Sequence, residues 1–193
     1  MKYDIIMAGV GGQGVLSVSA IIASSAMKEG LHVKQSEVHG MSQRGGAVLA
    51  HLRLSDRPIA SDLIPLGAAS MILSMEPLES LRYLRYLDPV GTIITSSDPL
   101  VNIPDYPKMD QLLSSIRALP NAVLIDAERL AREAGSVRAT NMVMVGAASH
   151  WLPVPVETIG YFIQNLFARK GEKIVSTNVK AFFSGREAAA AWA

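Results

Sequence analysis

Gly9-Val10-Gly11-Gly12-Gln13-Gly14 has the spacing G-x-G-x-x-G and follows a short apolar run, residues 3–8, that reads as a buried strand. Between a strand and a helix, each glycine of such a loop has a task. The first permits the tight turn, the second lets backbone approach a pyrophosphate, and the third lets helix and strand pack closely. Free amides at the helix start, with the positive end of its dipole, favour an anion. Gly9, Gly11, Gly12, Gln13 and Gly14 are therefore candidate cofactor-binding residues. The loop is not a Walker A loop, because Val15 stands where the lysine belongs and no Ser or Thr follows it. A ribose-binding acid should end the second strand about 20 residues past the motif. Glu37 is the one candidate, and it comes a little late. Two readings stand: an anion or nucleotide contact, or a tight turn holding helix to sheet with no ligand.

The second segment with chemical potential is Ser36-Glu37-Val38-His39-Gly40-Met41-Ser42-Gln43-Arg44-Gly45-Gly46. It reads as one loop after the second strand, carrying an acid, a histidine, an arginine and three glycines. Loops after parallel strands gather at the carboxyl edge of the sheet, so this one should share a crevice with the first glycine loop. Arg44 would supply a permanent cation and bidentate donor for phosphate or carboxylate. Gly45 and Gly46 would let backbone come close, and Ser36 and Glu37 offer polar contacts. His39 is a weak candidate for proton transfer near neutral pH. The plainer alternatives are that Arg44 pairs with Glu37, that His39 caps a turn, and that Met41 packs at an interface.

The elements that must position these loops alternate. Strands are expected at 3–8, 31–38, 47–54, 69–75, 92–95 and 122–125. Helices are expected at 14–28, 76–87, 109–119 and 127–134. In the first, Val15, Val18, Ala20, Ile22 and Ala26 form a modest stripe; in the second, Leu78, Leu81, Leu84 and Leu87 recur at helical spacing. Residues 98–108 hold three prolines and read as a surface loop. Beyond residue 139 the alternation stops, and 141–151, 156–169 and 178–191 all read as helices. Val156, Ile159, Ile163, Leu166 and Phe167 are expected to face one way. Strand–helix alternation with right-handed crossovers implies an α/β, doubly wound, Rossmann-like, mostly parallel sheet with helices on both faces. The chain is read as a single domain, 1–193, with a sheet portion at 1–139 and a helical C-terminal extension at 140–193.

Composition narrows the chemistry. The chain has 193 residues, no cysteine, and 18 Lys+Arg against 17 Asp+Glu. With no thiolate it cannot hold an iron–sulfur cluster by itself or use a thiol nucleophile. His32, His39, His51 and His150 are too scattered to suggest a zinc site, so no metal is expected. A net charge of +1 gives no electrostatic case for nucleic acid or an anionic membrane. The longest uncharged stretch, residues 5–27, carries the glycine cluster in its middle, where a membrane-spanning helix would break. A cytoplasmic location is expected.

Taken together, GVGGQG at 9–14 and SEVHGMSQRGG at 36–46 resemble the gamma-type subunit or domain of 2-oxoacid:ferredoxin oxidoreductases. Within that group the wording from His39 to Gly46 is most similar to the indolepyruvate branch, whose smaller, beta subunit is gamma-like. The related pyruvate enzymes tend to carry Tyr-Gly and an acid where this chain has His39-Gly40 and Gln43. Further echoes are Glu76-Pro77-Leu78-Glu79, Asn141 before an apolar run with Gly146, and Asn178 through Phe182 to Gly185. The resemblance implies oxidative decarboxylation of a 2-oxoacid, indolepyruvate or another arylpyruvate, with coenzyme A as acyl acceptor and ferredoxin as electron acceptor. It also implies that thiamine diphosphate and iron–sulfur clusters sit in a large partner subunit, through which ferredoxin is reached. The gamma-like chain would complete the active-site cleft, inactive alone, and its glycine loops would receive coenzyme A. Two other readings compete: a self-contained nicotinamide- or flavin-dependent oxidoreductase, and a nucleotide-sensing module without chemistry.

Overall fold

The computed structural model describes residues 1–39 and 45–193; residues 40–44, and with them Gly40, Met41, Gln43 and Arg44, lie outside the described residues, as does the side chain of His39. Six strands, β1 (Lys2–Val10), β2 (His32–His39), β3 (Ala47–Ser55), β4 (Ala69–Ser74), β5 (Leu87–Ser96) and β6 (Ala122–Ile125), form one sheet in the order β2-β3-β1-β4-β5-β6. β1, β4, β5 and β6 pair in parallel. β3 runs against both β1 and β2, so five strands share one direction and β3 opposes them.

The helices are α1 (Val15–Lys28), α2 (Pro77–Arg82), α3 (Met109–Arg117), α4 (Ala127–Ala134), α5 (Thr140–Ala148), α6 (Val156–Phe167) and α7 (Glu172–Ala189). Strand periodicity assigns the two faces. Ile5, Met7, Met71, Leu73 and Ile94 point into a large core shared with α1, α4, α5, α6 and α7. Ile6, Ile72 and Ile93 point the other way, into a smaller core with Ile64, Leu84 and Leu87, on the side covered by α2 and α3. The expected doubly wound, mostly parallel sheet with helices on both faces is what the chain forms.

Several local expectations change. Ser36, Glu37, Val38 and His39 belong to β2 and are not part of a loop. Their ladder with Ala50, Leu49, Val48 and His51 of β3 uses the backbone that a loop would leave open. The leucine stripe at 78–87 does not lie on one helix. α2 ends at Arg82, a 3-10 turn and β5 follow, and the residues that α2 buries are Pro77, Glu79 and Ser80. In α1, Ala20 faces solvent while Ser19 and Ser25 are buried, Ser25 Oγ donating to the Ile21 carbonyl. On α6, Leu166 is exposed beside buried Ile159 and Ile163. α7 begins six residues before its expected start, because Gly171 gives the chain its turn and Glu172 suits a helix's first turn.

The C-terminal helices cover the face that α1 begins. α5 is buried from Met142 to Ala148 and crosses α7 at a two-glycine contact. A Cβ on Gly146 would lie 1.8 Å from the Phe182 carbonyl oxygen, and one on Gly185 would lie 1.9 Å from that of Val143. This backbone-to-backbone approach pins α5 on the sheet, and α5's first turn is one wall of the site.

Candidate functional site

The carboxyl ends of β1, β4, β5 and β6 converge on a crevice of about 240 Å³. It is lined by Gly12 and Gln13 after β1, Met75 after β4, Asp98, Pro99 and Leu100 after β5, and Glu128, Arg138 and Asn141 beyond β6. Here the connections diverge: the β1-to-β2 connection uses α1 on one face, and the β4-to-β5 connection uses α2 on the other. Open α/β sheets bind ligands at such a switch point.

The first glycine loop is built by specific contacts. A Cβ on Gly9 would stand 2.9 Å from Val15 Cγ2 and 3.2 Å from Met75 Cβ, so it is Gly9 that lets α1 close onto the strand. Gly14 precedes α1 with φ +82°, and an added Cβ would meet Asn141 Nδ2 at 2.6 Å. No side chain among the described residues caps α1. Gln13 points inward: its Oε1 accepts from the Val10 amide at 2.8 Å, and its Nε2 donates to the Met75 carbonyl at 3.2 Å. Gln13 thus ties the loop to the end of β4, while Gly12 lies open at the crevice.

The two glycine segments meet. The Gly11 amide donates to the Gly46 carbonyl at 2.8 Å, and the Gly45 amide donates to the Gly11 carbonyl at 3.1 Å. The adjacency expected of the two loops is therefore present, and it occupies the Gly11 amide. Ser36 and Glu37 are more distant. They pair with His51 and Ala50 of β3, which pair in turn with Ile6 and Met7 of β1. With strands about 4.8 Å apart, Glu37 stands two strands, nearly 10 Å, from β1. A dinucleotide site needs the acid on the strand beside β1, and there the antiparallel β3 intervenes. This removes the structural basis for the nicotinamide or flavin reading.

The charges in the crevice are mixed. Asp98 Oδ2 accepts from Ser96 Oγ at 2.7 Å and from the Glu128 amide at 2.8 Å. Glu128 is held by Arg132. Arg138 is exposed and makes no ion pair with a described residue, which leaves its guanidinium available to an anion. Its backbone is set by Ser136, whose hydroxyl accepts the Arg138 amide at the start of a 3-10 turn. Asn141 Oδ1 is buried with no hydrogen-bond partner among the described residues. A ligand N–H or O–H would satisfy it; turned over, the amide would offer its NH₂ to an anion. The analysis of motifs alone did not single out Arg138 or Asp98. Asp98 had a positional signal, since it follows the carboxyl end of β5; Arg138 stands in the 3-10 turn between α4 and α5, where no local pattern marks it. Among the described residues no group of three or more His, Asp or Glu could hold a metal ion, and no helix is long and apolar enough to cross a membrane.

Comparison with known proteins places this geometry. The family described as pyruvate ferredoxin/flavodoxin oxidoreductase matches residues 4–188. A protein of Archaeoglobus fulgidus named indolepyruvate oxidoreductase subunit IorB is 36% identical over 194 residues, covering 96% of this chain and 94% of its own. The IorB of Pyrococcus horikoshii is also 36% identical, covering 97% and 96%. Among solved structures, the gamma subunit of a keto/oxoacid ferredoxin oxidoreductase from Geobacter sulfurreducens has a TM-score of 0.72 at 24% identity, covering 98% of this chain and 99% of that one. A 2-oxoglutarate:ferredoxin oxidoreductase from Magnetococcus marinus, solved with 2-oxoglutarate, coenzyme A and succinyl-CoA, has a TM-score of 0.77 at 21% identity; this chain matches 32% of its length. The resemblance carried by the two glycine segments thus extends over the whole sheet and its C-terminal helices, and the chain belongs to the pyruvate ferredoxin/flavodoxin oxidoreductase family.

Proposed function

We propose that this chain is the small subunit of an oxidoreductase that converts indolepyruvate and related arylpyruvates to aryl-acetyl-CoA, with ferredoxin as electron acceptor. The observation that carries the reading is the likeness to the IorB subunits, which runs nearly end to end in both chains at 36% identity. The chain's own chemistry agrees. It has no cysteine and thus no means of holding an iron–sulfur cluster itself. A larger partner subunit would carry those clusters and thiamine diphosphate, and would pass electrons to ferredoxin. Thiamine diphosphate, when bound there, stabilises the carbanion left by loss of carbon dioxide.

The part proposed for this chain is to receive coenzyme A at the crevice. The residues fit one end of such a ligand. Gly12, the uncapped start of α1, Arg138 and the amide of Asn141 suit a phosphate-bearing group, with Arg44 as the further cation expected from the second loop. A cavity of about 240 Å³ falls below the range of roughly 300–1,000 Å³ that encloses a whole drug-sized ligand. The remainder of the coenzyme would lie against the partner. This chain's residues bind and orient; His39 stays a weak candidate for moving a proton.

The test is reconstitution. Arylpyruvate-dependent reduction of a viologen dye, with coenzyme A and thiamine diphosphate present, is expected from the co-expressed pair and not from this chain alone. Turnover by the isolated chain at a rate near that of the pair would overturn the subunit reading.

A further inference from the structure

One wall of the crevice is a strap, residues 97–108, and its hydrogen bonds close a ring. Gln13 of the first glycine loop holds the Met75 carbonyl. The next residue, Glu76, is 1% exposed. Its Oε2 accepts the Glu79 amide at 2.8 Å, at the start of α2. Its Oε1 accepts the Tyr106 hydroxyl and, at 3.5 Å, the Leu100 amide. Leu100 lines the crevice. Two residues on, Asn102 Nδ2 donates to the Gly45 carbonyl at 2.9 Å. Gly45 and Gly46 exchange hydrogen bonds with Gly11, two residues before Gln13.

The choice of residue at 76 needs this ring. Ser, Thr, Asp and Asn are the residues preferred at a helix N-cap, where one short-reaching oxygen suffices. Glu is longer, and burying its carboxylate is costly unless both oxygens are bonded. Here the reach lets one oxygen start α2 while the other takes hold of the strap. Burial, and the bond to Glu76, push the Tyr106 phenol well above its ordinary range, so it keeps its proton and remains the donor.

We infer that Glu76 and Tyr106 are positioning residues, latching the strap so that it fixes the geometry of both glycine loops. The consequence for ligand affinity rests on the reading that the crevice receives coenzyme A. Cutting the latch releases a tie on Leu100 and, through Asn102, on Gly45 and Gly11. Loss of a hydrogen bond to a charged group should speed local opening roughly ten- to hundredfold.

The experiment compares wild type, Tyr106→Phe and Asn102→Ala in the assembled enzyme, by hydrogen exchange at the Gly11, Gln13 and Gly45 amides and by steady-state kinetics. In both variants the expected result is faster exchange at these amides, unchanged exchange at Ile159 and Ile163 on α6, and a raised KM for coenzyme A with kcat unchanged. Glu76→Gln, which keeps an acceptor for Tyr106, should fall between wild type and Glu76→Ala. Faster exchange confined to the strap, with the glycine loops as in wild type, overturns the inference. So does an unchanged KM in an enzyme whose glycine loops coenzyme A protects. If coenzyme A leaves wild-type exchange at the loops untouched, the ligand reading fails instead, and spread of faster exchange from strap to loops still upholds the latch.

Discussion

Gly146→Ala tests how tightly the site's wall is held. The added Cβ would lie 1.8 Å from the Phe182 carbonyl oxygen, 2.8 Å from its carbon and 2.9 Å from the Arg186 amide nitrogen. All three are backbone atoms of α7, so no side chain can swing away. Relief requires α5 and α7 to part by more than 1 Å, since a Cβ contact is ordinary only beyond about 3.4 Å. The same movement stretches the bond between His150 Nε2 and the Arg186 carbonyl, and the one from Arg186 to Ser149 Oγ. Overpacking of a filled core costs about 1–3 kcal/mol, occasionally more, and rigid backbone on both sides puts this site at or above the upper figure. At about 2–4 °C per kcal/mol for a chain of this size, Tm should fall by roughly 6–12 °C. Gly160→Ala on α6, where nothing lies within 4 Å of the new Cβ, is the control and should gain about 0.5–1 kcal/mol. One separation of the helices accommodates both glycines, so Gly146→Ala with Gly185→Ala should cost less than the two singly. Thermal and urea unfolding of wild type and the four variants measure these differences. A Gly146→Ala variant within about 1 kcal/mol of wild type, or strictly additive costs, would refute the close-crossing argument.

Arg44→Ala in the assembled enzyme should raise the KM for coenzyme A roughly ten- to hundredfold, the loss of one charge-assisted hydrogen bond; an unchanged KM with failed subunit association would make Arg44 an interface residue. Arg53 makes paired bonds of 2.9 and 3.1 Å to buried Asp4, which Lys2 also pairs, and donates to the Ser61 and Leu63 carbonyls. Arg53→Met should therefore cost about 3–5 kcal/mol in urea unfolding, and adding Asp4→Leu should recover only the part due to the carboxylate, since the two carbonyls stay unbonded. Burial lowers the pKa of His51, outweighing the nearby Asp62 and Asp4 charges, and its Nδ1 accepts the Ile64 amide at 3.1 Å. The folded state therefore resists protonation: stability is full above the ordinary histidine pKa of about 6.5 and falls as pH drops below it. The urea midpoint should decline between about pH 7.5 and 5.5, and less steeply in His51→Phe.

What could be read in the residues follows from how local each cause is. β6 and α4 fall where expected, because short apolar runs, Asp126 as N-cap and Gly135 at φ +119° mark them within a few positions. The place of β3 was not legible. Nothing in Ala47–Ser55 distinguishes an antiparallel strand inserted beside β1 from a parallel one further out, since either buries the same alternation. With β3 inserted beside β1, Ser36 and Glu37 stand on an outer strand and not in a loop next to the first glycine segment. Buried Glu76 and Glu79 were equally hidden: the leucine spacing around them pointed to a different buried face, and only tertiary partners account for two acids at 1% exposure. Glu79 illustrates the cost, since burial raises its pKa even with Arg82 bonded to it.

The insertion of β3 also bears on why the site proposed for coenzyme A would be a half-site in this chain. A dinucleotide fold uses the strand beside β1 to carry the ribose contact, and so encloses its ligand alone. Here that edge is taken by β3, and Gly45 and Gly46, just before it, bond Gly11. Among the described residues the remaining crevice is bounded by the ends of β1, β4 and β5 and the starts of α4 and α5. Exposed Leu16, Val101, Ile103 and Val137 stand on the elements around its mouth. An apolar rim about a small crevice of mixed polarity suits burial against another protein surface. Covering the rim would also remove water from Arg138 and the α1 amides, strengthening their hold on an anion. On this argument subunit association and anion affinity are coupled. The equilibrium affinity of inorganic phosphate, read by competition with coenzyme A, should be measurable in the assembled enzyme and far weaker in the isolated chain; equal affinities in the two would separate the crevice from the interface and refute the coupling.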